Sequence, residues 1–362
     1  MPRPSVLPAD LRTVPFTVAQ ARQRGLSGAA LEGARFRSML YDVYVAADQP
    51  LSLRLWVAAA RLVVPGDAVV HHLTGLHVHG VWVGAAWPLR FASTDRRHVR
   101  RMPLQVARVQ RLPPADGGVA TAASCFAAGC ADLDLVDAVT AGDQLLHLGR
   151  CTHAELTAAV AAHRGRGAPM ARRALALVRE RSESPRETLV RLLLVLAGLP
   201  EPRCNVVIGT GRSAIGRGDM VYDGYALVVE YDGRQHADSA VQWERDLERL
   251  DDFADSRWRH IRVTAARLRR PRDVVWRVHA ALTAAGYAGP APSFGPDWVE
   301  LFERRTAARR AAESPRADSW SQHWVSRVDA GSGRRSVTIG AVRAGFVPTV
   351  GGAGATAATT PR

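Results

Sequence analysis

The chain has 362 residues and a formal net charge of +14, enough length for two compact domains that each bury a core. No run approaches about eighteen consecutive apolar residues, and the start, MPRPSVLPADLRTVPF, lacks a basic region followed by an apolar stretch, so neither a transmembrane helix nor a secretory signal is expected and a soluble cytoplasmic protein is the expectation. Clustered cations fit a nucleic-acid partner, because they displace counterions condensed on phosphates; yet the chain contains no lysine and is rich in Ala, Arg, Gly and Val, so part of this charge reflects a GC-rich genome.

In chain order, Phe16 to Arg24 reads as a helix, Gly25 breaks it, and Ser27 N-caps a second helix running to about Gly33. Arg35, Phe36 and Arg37 follow, and Met39 to Ala46 alternates as a short strand or wing does. Helix, tight turn and helix form the skeleton of a helix-turn-helix, a unit that any small three-helix module also resembles. Ser27, Arg35 and Arg37 are its candidate DNA-binding residues.

Leu51 to Val64 and Ala68 to Gly80 read as helices, the second carrying His71, His72, His77 and His79. A metal site is weighed there against capping or core-edge histidines, and without an accompanying carboxylate or cysteine the second is favoured. Pro88 to Leu112 alternates like strands around a polar turn holding Asp95, Arg96, Arg97, His98, Arg100 and Arg101, a loop suited to phosphate contacts or to plain solvation. Pro113 to Gly118 is a turn or linker, and helices follow from Ala120 to about Arg181 with a break near Leu148 to Thr152. Cys125, Cys130, Cys151 and Cys204 show no zinc-ligand spacing and read as small core residues.

From Ser184 onward the sequence becomes specific. Ser184 and Glu187 form a Ser-x-x-Glu capping box, an assignment that competes evenly with a catalytic role for Glu187, and Leu189, Leu192, Leu193 and Leu196 recur at helical spacing. Asn205 to Ile208 is a strand, Gly209 to Gly218 a Gly-rich loop, and two further strands flank Asp223-Gly224, a strong hairpin signal. With those two residues as the turn, Tyr222 faces Tyr225, Met220 faces Leu227 and Asp219 faces Val228; alternation then sets Asp219, Glu230 and Asp232 on one face of one sheet. Crowded carboxylates repel one another unless neutralised, and a hard cation such as Mg²⁺ or Mn²⁺ would do so through oxygen ligands. Asp219 and Glu230 are the first-choice ligands, with Asp232 a further ligand or an orienter of His236 and the Tyr231 carbonyl a further donor. His236 would serve as general base or as proton donor to a leaving oxygen.

Val241 to Phe253 is a helix with an apolar stripe, on which Asp246 and Arg249 pair or reach towards the site and Arg245 contacts phosphate. His260 to Thr264 is a last strand, followed by the basic run Arg267, Arg269, Arg270 and Arg272, which would track a DNA backbone or solvate a helix start. Beyond about Ala288 the composition shifts to Gly, Ala, Thr, Ser, Pro and Arg, and residues 288–362 are expected to be mostly disordered apart from a short helix near Asp297 to Ala312.

Glu187 in its helix, then GDMVYDGYALVVEYDGRQH, WERDLERLDDF and WRHIRVT, together resemble the very-short-patch-repair-like branch of the PD-(D/E)XK nuclease superfamily over about Ser184 to Tyr287. The resemblance implies a mixed sheet flanked by helices, with Asp219 and Glu230 as the paired acidic positions of the motif, His236 as the downstream histidine, and Asp246 with Arg249 on the next helix. Asp232 stands where the general motif has lysine. FTVAQARQRGLS, FRSMLYDVYV and HHLTGLHVHG are similar to the winged helix and following domain of type IV abortive-infection antitoxins, with Asp42 where that family has a small residue or Gly before the wing.

The expected fold is therefore α/β (α+β overall): a winged helix over 1–50, an antitoxin-like region over 51–175, a restriction-endonuclease-like domain over 176–287, and a tail. The expected function is Mg²⁺-dependent cleavage of DNA phosphodiesters in repair or phage defence. Its rivals are a DNA-binding regulator or antitoxin, with a toxin or a second copy as partner, that keeps an inactive nuclease-like scaffold, and an accessory nucleic-acid-binding protein.

Overall fold

A computed structural model describes residues 11–96, 103–208, 216–232 and 258–304. It is an α/β protein in which helices accompany three sheets, one antiparallel and two mixed.

The N-terminal unit is built from β1 (Phe16–Thr17), α1 (Val18–Gln23), α2 (Gly28–Leu31), β2 (Phe36–Leu40) and β3 (Val43–Ala46), with sheet order β1-β3-β2. Thr17 closes a full capping box with Gln20, so the chain enters α1 from a two-residue strand rather than from a longer helix beginning at Phe16. Gly25 turns at φ 79, a left-handed conformation that costs glycine little. Ser27 then caps α2, which stops at Leu31, two residues short of the expected end. Phe16, Ala21, Leu26, Leu31 and Phe36 form a small core of their own. Asp42 adopts φ 69 in the Tyr41-Asp42 turn between β2 and β3, a conformation Asp tolerates better than most non-glycine residues.

The middle region contains α3 (Leu53–Arg61), β4 (Val69–Val70), α4 (His72–Val78), β5 (Leu89–Ser93), β6 (Leu104–Arg108), β7 (Ala115–Asp116) and β8 (Val119–Ala120). The segment expected as one helix from Ala68 begins as β4, because Val69 and Val70 pair with Ala92 and Phe91 of β5 before the chain turns into α4. The order is β6-β5-β4-β8-β7, and β5 and β6 run parallel, so they are not the two arms of a simple hairpin. The polar loop that joins them lies largely outside the described residues. Pro113 to Gly118 is the β7–β8 hairpin rather than a linker.

Four helices follow, α5 (Ala122–Gly129), α6 (Leu135–His147), α7 (His153–Ala162) and α8 (Ala168–Leu175), with the expected break after His147. Then come α9 (Pro185–Val195), β9 (Arg203–Ile208), β10 (Gly216–Tyr222), β11 (Leu227–Asp232), β12 (Arg259–Thr264), α10 (Pro271–Ala284) and α11 (Pro296–Val299), the last running into a π-helical turn over Glu300–Arg304. The second mixed sheet has the order β12-β11-β10-β9, with β11 and β12 parallel and the other neighbours antiparallel.

One continuous core joins these parts. Phe126 and Leu145 of the middle helices, Leu192 and Leu193 of α9, Met220 and Val229 of the second sheet and Val275 of α10 belong to the same buried cluster, so residue 175 does not divide two separate cores. Trp298 and Phe302 are buried in that cluster too. The Trp298 indole donates to the Leu193 carbonyl at 3.0 Å, and the Ser293 N–H donates to Ala197 O at 2.9 Å. Residues 288–304 are therefore part of the folded body and not of a disordered tail. Residues 305–362 lie outside the described residues. Among the described residues no helix is long and apolar enough to cross a membrane.

Candidate functional site

The register of the β10–β11 hairpin decides where the carboxylates go. Tyr222 pairs with Leu227, Val221 with Val228 and Met220 with Val229, so the loop spans Asp223 to Ala226 rather than Asp223-Gly224 alone. A 3-10 turn over Asp223–Tyr225 and a left-handed Ala226 at φ 43 make up this four-residue loop. Tyr222 thus does not face Tyr225, and continuing the ladder sets Asp219 across from Glu230 instead of Val228. Because faces alternate along β11, a slip of two leaves Glu230 and Asp232 on their expected side, whereas β10 breaks the alternation before Met220, where Gly218 and Val221 face the same side.

Met220, Tyr222, Leu227 and Val229 point into the main core, whereas Val206, Ile208, Val221 and Val228 form a small cluster on the opposite side with Trp258. Glu230 and Asp232 alternate with Val229 and Tyr231 and so share the Val228 side. A Cβ at Gly218 would come within 2.7 Å of Val228 Cγ1 and 2.9 Å of Val221 Cγ2, so only glycine lets β10 press against that cluster.

Asp219 lies at the edge of the ladder. Its Oδ2 accepts the Tyr231 N–H at 2.9 Å, just where pairing between β10 and β11 ends. Asp219 and Glu230 are thereby brought to neighbouring strands. The parallel strand β12 supplies two partners that the sequence did not single out: His260 Nε2 lies 3.0 Å from Glu230 Oε2 and Arg262 Nη1 3.4 Å from Asp232 Oδ2. Their register, Val228 with His260 and Glu230 with Arg262, puts imidazole and guanidinium on the carboxylate side of the sheet. No local signal could have found these partners, because about thirty residues separate β11 from β12 in the chain.

Glu187 stands one step away. Its N–H donates to Ser184 Oγ at 3.2 Å, but its carboxylate reaches past the cap and accepts from Glu183 N at 2.9 Å and Asn205 Nδ2 at 2.6 Å. Asn205 has a left-handed φ of 47 and also donates to Arg181 O at 2.7 Å. It sits between the pairs Gly218–Val206 and Met220–Cys204, at the level of Asp219. Backbone strain of this kind persists only where surrounding contacts over-determine it.

Next to Glu187 on α9, Thr188 and Arg191 enter a buried network. Asp143 and Arg191 are both fully buried and bonded at 2.8 Å; Thr188 donates to Asp143 Oδ2 at 2.8 Å, Arg179 N donates to Oδ1 at 2.7 Å, and Arg191 also reaches Glu201 at 3.2 Å. Burial pushes the Asp143 carboxyl up, while Arg191 and these hydrogen bonds favour its charged form.

His236, Arg245, Asp246 and Arg249 lie outside the described residues. In the N-terminal unit, Ser27 is occupied as the cap of α2 and the half-buried Arg37 donates to Ala47 O at 3.1 Å. Arg35 is exposed beside the Phe36 ring, at 5.7 Å. Three of the four clustered histidines bond within the fold. His77 Nε2 contacts Val83 O at 2.9 Å while its ring stacks on Trp82, His79 Nε2 contacts Ala120 O at 2.8 Å, and His72 Nδ1 accepts Leu73 N–H at 2.9 Å.

Desolvation pulls the pKa of His71 and of His72 down from 6.5 to about 4. Between those values the unfolded chain binds protons that the folded protein does not, so stability falls as pH drops from 6.5 towards 4. Urea midpoints measured across that range are expected to fall with pH, and less steeply in a His71→Gln variant; equal slopes would contradict the burial assignment.

Among the described residues no group of three His, Cys, Asp or Glu side chains is arranged to hold a metal ion. Mg²⁺, however, is commonly held by one or two carboxylates together with substrate phosphate and water. Asp219 and Glu230, hard oxygen donors on adjacent strands, fit that chemistry.

No family model matches the chain, and no solved structure matches it. Two uncharacterized proteins from two strains of Mycobacterium tuberculosis are each 28% identical over 257 residues, an alignment covering 69% of this chain and 93% of each relative. The chain is thus similar, over most of its length, to mycobacterial proteins whose names state no activity.

Proposed function

We propose that the protein is a Mg²⁺- or Mn²⁺-dependent endonuclease acting on DNA in the cytoplasm, with Asp219 and Glu230 as its metal-binding carboxylates. The observation that carries this reading is the Asp219 carboxylate bonded to the Tyr231 N–H, which brings it beside Glu230 at one end of a mixed sheet. The order α9, β9, β10, β11 and then β12 parallel to β11 is consistent with the nuclease resemblance.

Asp219 and Glu230 would hold the cation; the Tyr231 N–H fixes the first and His260 orients the second. When bound, Mg²⁺ would polarise the phosphodiester and increase the acidity of water. Arg262 neutralises Asp232, limiting repulsion among the acids as an anionic substrate approaches. His236, four residues beyond Asp232 in the sequence, is the candidate for proton transfer.

A second reading is favoured by the ion pairs themselves. Arg262 on Asp232 is an intramolecular substitute for a cation and His260 occupies Glu230 Oε2, as expected of a DNA-binding regulator or antitoxin that retains the domain as a scaffold.

One assay separates the two. Purified protein is incubated with supercoiled DNA in Mg²⁺ or in EDTA, beside Asp219→Ala. Nicking that requires Mg²⁺ and falls by about a hundredfold or more in the variant, a loss typical of removing a key electrostatic group, supports the enzyme. Equal inertness or equal activity of the two proteins removes it.

A further inference from the structure

The arginines beyond β12 carry a second inference, which rests on the nucleic-acid reading above. Between residues 257 and 272 the sequence places seven arginines, at 257, 259, 262, 267, 269, 270 and 272, and no Asp or Glu. Arg262 is held by Asp232, and Arg272 by Glu303 at 2.6 Å. Arg267, Arg269 and Arg270 are exposed in the 3-10 turn and at the residue that leads into α10.

The register fixes where this turn lies. Thr264, the last residue of β12, pairs with Asp232, the last residue of β11, and its hydroxyl accepts the Arg267 N–H at 3.2 Å. The Arg267 guanidinium is bonded to the carbonyl of Arg262, the residue whose own guanidinium meets Asp232. The arginine turn is thereby anchored at the strand ends where Asp232 lies, close to Glu230 and Asp219. Ligands of open α/β sheets bind outside the carboxyl ends of parallel strands.

Closely spaced exposed arginines suit a polyanion, which releases its condensed counterions on binding. Arginine forks match phosphate oxygens in pairs, and anchoring Arg267 in advance reduces the side-chain ordering that binding would otherwise require.

We infer that Arg267, Arg269 and Arg270 form a track for the phosphate backbone of duplex DNA, leading it to the Asp219–Glu230–Asp232 edge. The acids at the edge receive the cation, and the arginines beside them receive the phosphates.

The test uses the full chain in EDTA, so that binding is measured without cleavage. Fluorescence anisotropy with a labelled DNA duplex is followed across a salt titration for wild type, for Arg267→Gln/Arg269→Gln/Arg270→Gln, and for a control that removes three exposed arginines elsewhere, Arg54→Gln/Arg164→Gln/Arg172→Gln. Each lost phosphate contact lowers the slope of log K against log salt by about 0.9. The track variant is expected to bind at least about tenfold more weakly, with a slope smaller by about 2 to 3, while the control stays near wild type and all three melt alike. The inference is overturned if wild type does not bind the duplex, if the track variant keeps the wild-type slope, or if the control loses as much. Should binding follow the expectation while Mg²⁺-dependent nicking is absent, the track stands and the nuclease reading alone fails.

Discussion

Asp143→Ala is expected to cost about 3 to 5 kcal/mol, the loss typical of breaking one side of a buried ion pair. The substitution strands Arg191, which is fully buried, with Glu201 as its remaining acidic partner. It also removes the acceptor for the Thr188 hydroxyl and the Arg179 N–H. Replacing both members, Asp143→Leu with Arg191→Met, takes away the uncompensated charge and is expected to cost clearly less than Asp143→Ala. Chemical denaturation of the three proteins checks the ranking; Asp143→Ala within about 1 kcal/mol of the parent contradicts it. The pair joins α6 to α9, the helix that carries Glu187, so the same network that holds the core together across residue 175 also fixes the backbone beside the candidate site.

Trp298→Ala is expected to destabilise by about 3 to 5 kcal/mol, the range for removing a large aromatic from a core. Trp298 is 2% exposed, packs on Phe294 and Phe302, and satisfies its indole N–H on Leu193 O. Trp276, on the outer side of α10, is 45% exposed and provides the internal comparison: Trp276→Ala should cost less, because nearly half of its surface stays in water. Melting and urea curves of the two variants decide the matter. Equal losses would mean that the segment around Trp298 is not part of the folded body.

Several elements were legible because their causes are local. Ser27 and Ser184 each cap the helix that follows, and Leu192 and Leu193 of the expected apolar stripe of α9 are fully buried. Three of the four clustered histidines, His72, His77 and His79, are hydrogen-bonded within the fold, the structural role that was weighed against a metal. The β10–β11 hairpin was legible in its existence and in the faces of β11 but not in its register. Asp-Gly states that a turn occurs there, whereas nothing in an alanine announces a left-handed Ala226, and the longer loop slipped the pairing by two. Composition misled at residues 288–304, where Gly, Pro and Ala surround two aromatic anchors; whether Trp298 and Phe302 are buried depends on the groove that α9 and α10 offer them.

The side shared by Glu230 and Asp232 followed from the sequence alone, since a two-residue period along β11 is enough to put both on the side away from Val229. What surrounds them was decided only by tertiary structure. His260 and Arg262 arrive on a parallel strand, and parallel pairing needs a long crossover whose length carries no register information. Asp219 meets Tyr231 N–H because the ladder ends there, and Glu187 meets Asn205 because α9 packs beside β9. The residue types that can do chemistry are written along the chain, but the partners that set their charge and orientation come from contacts distant in sequence, which only the packed fold specifies.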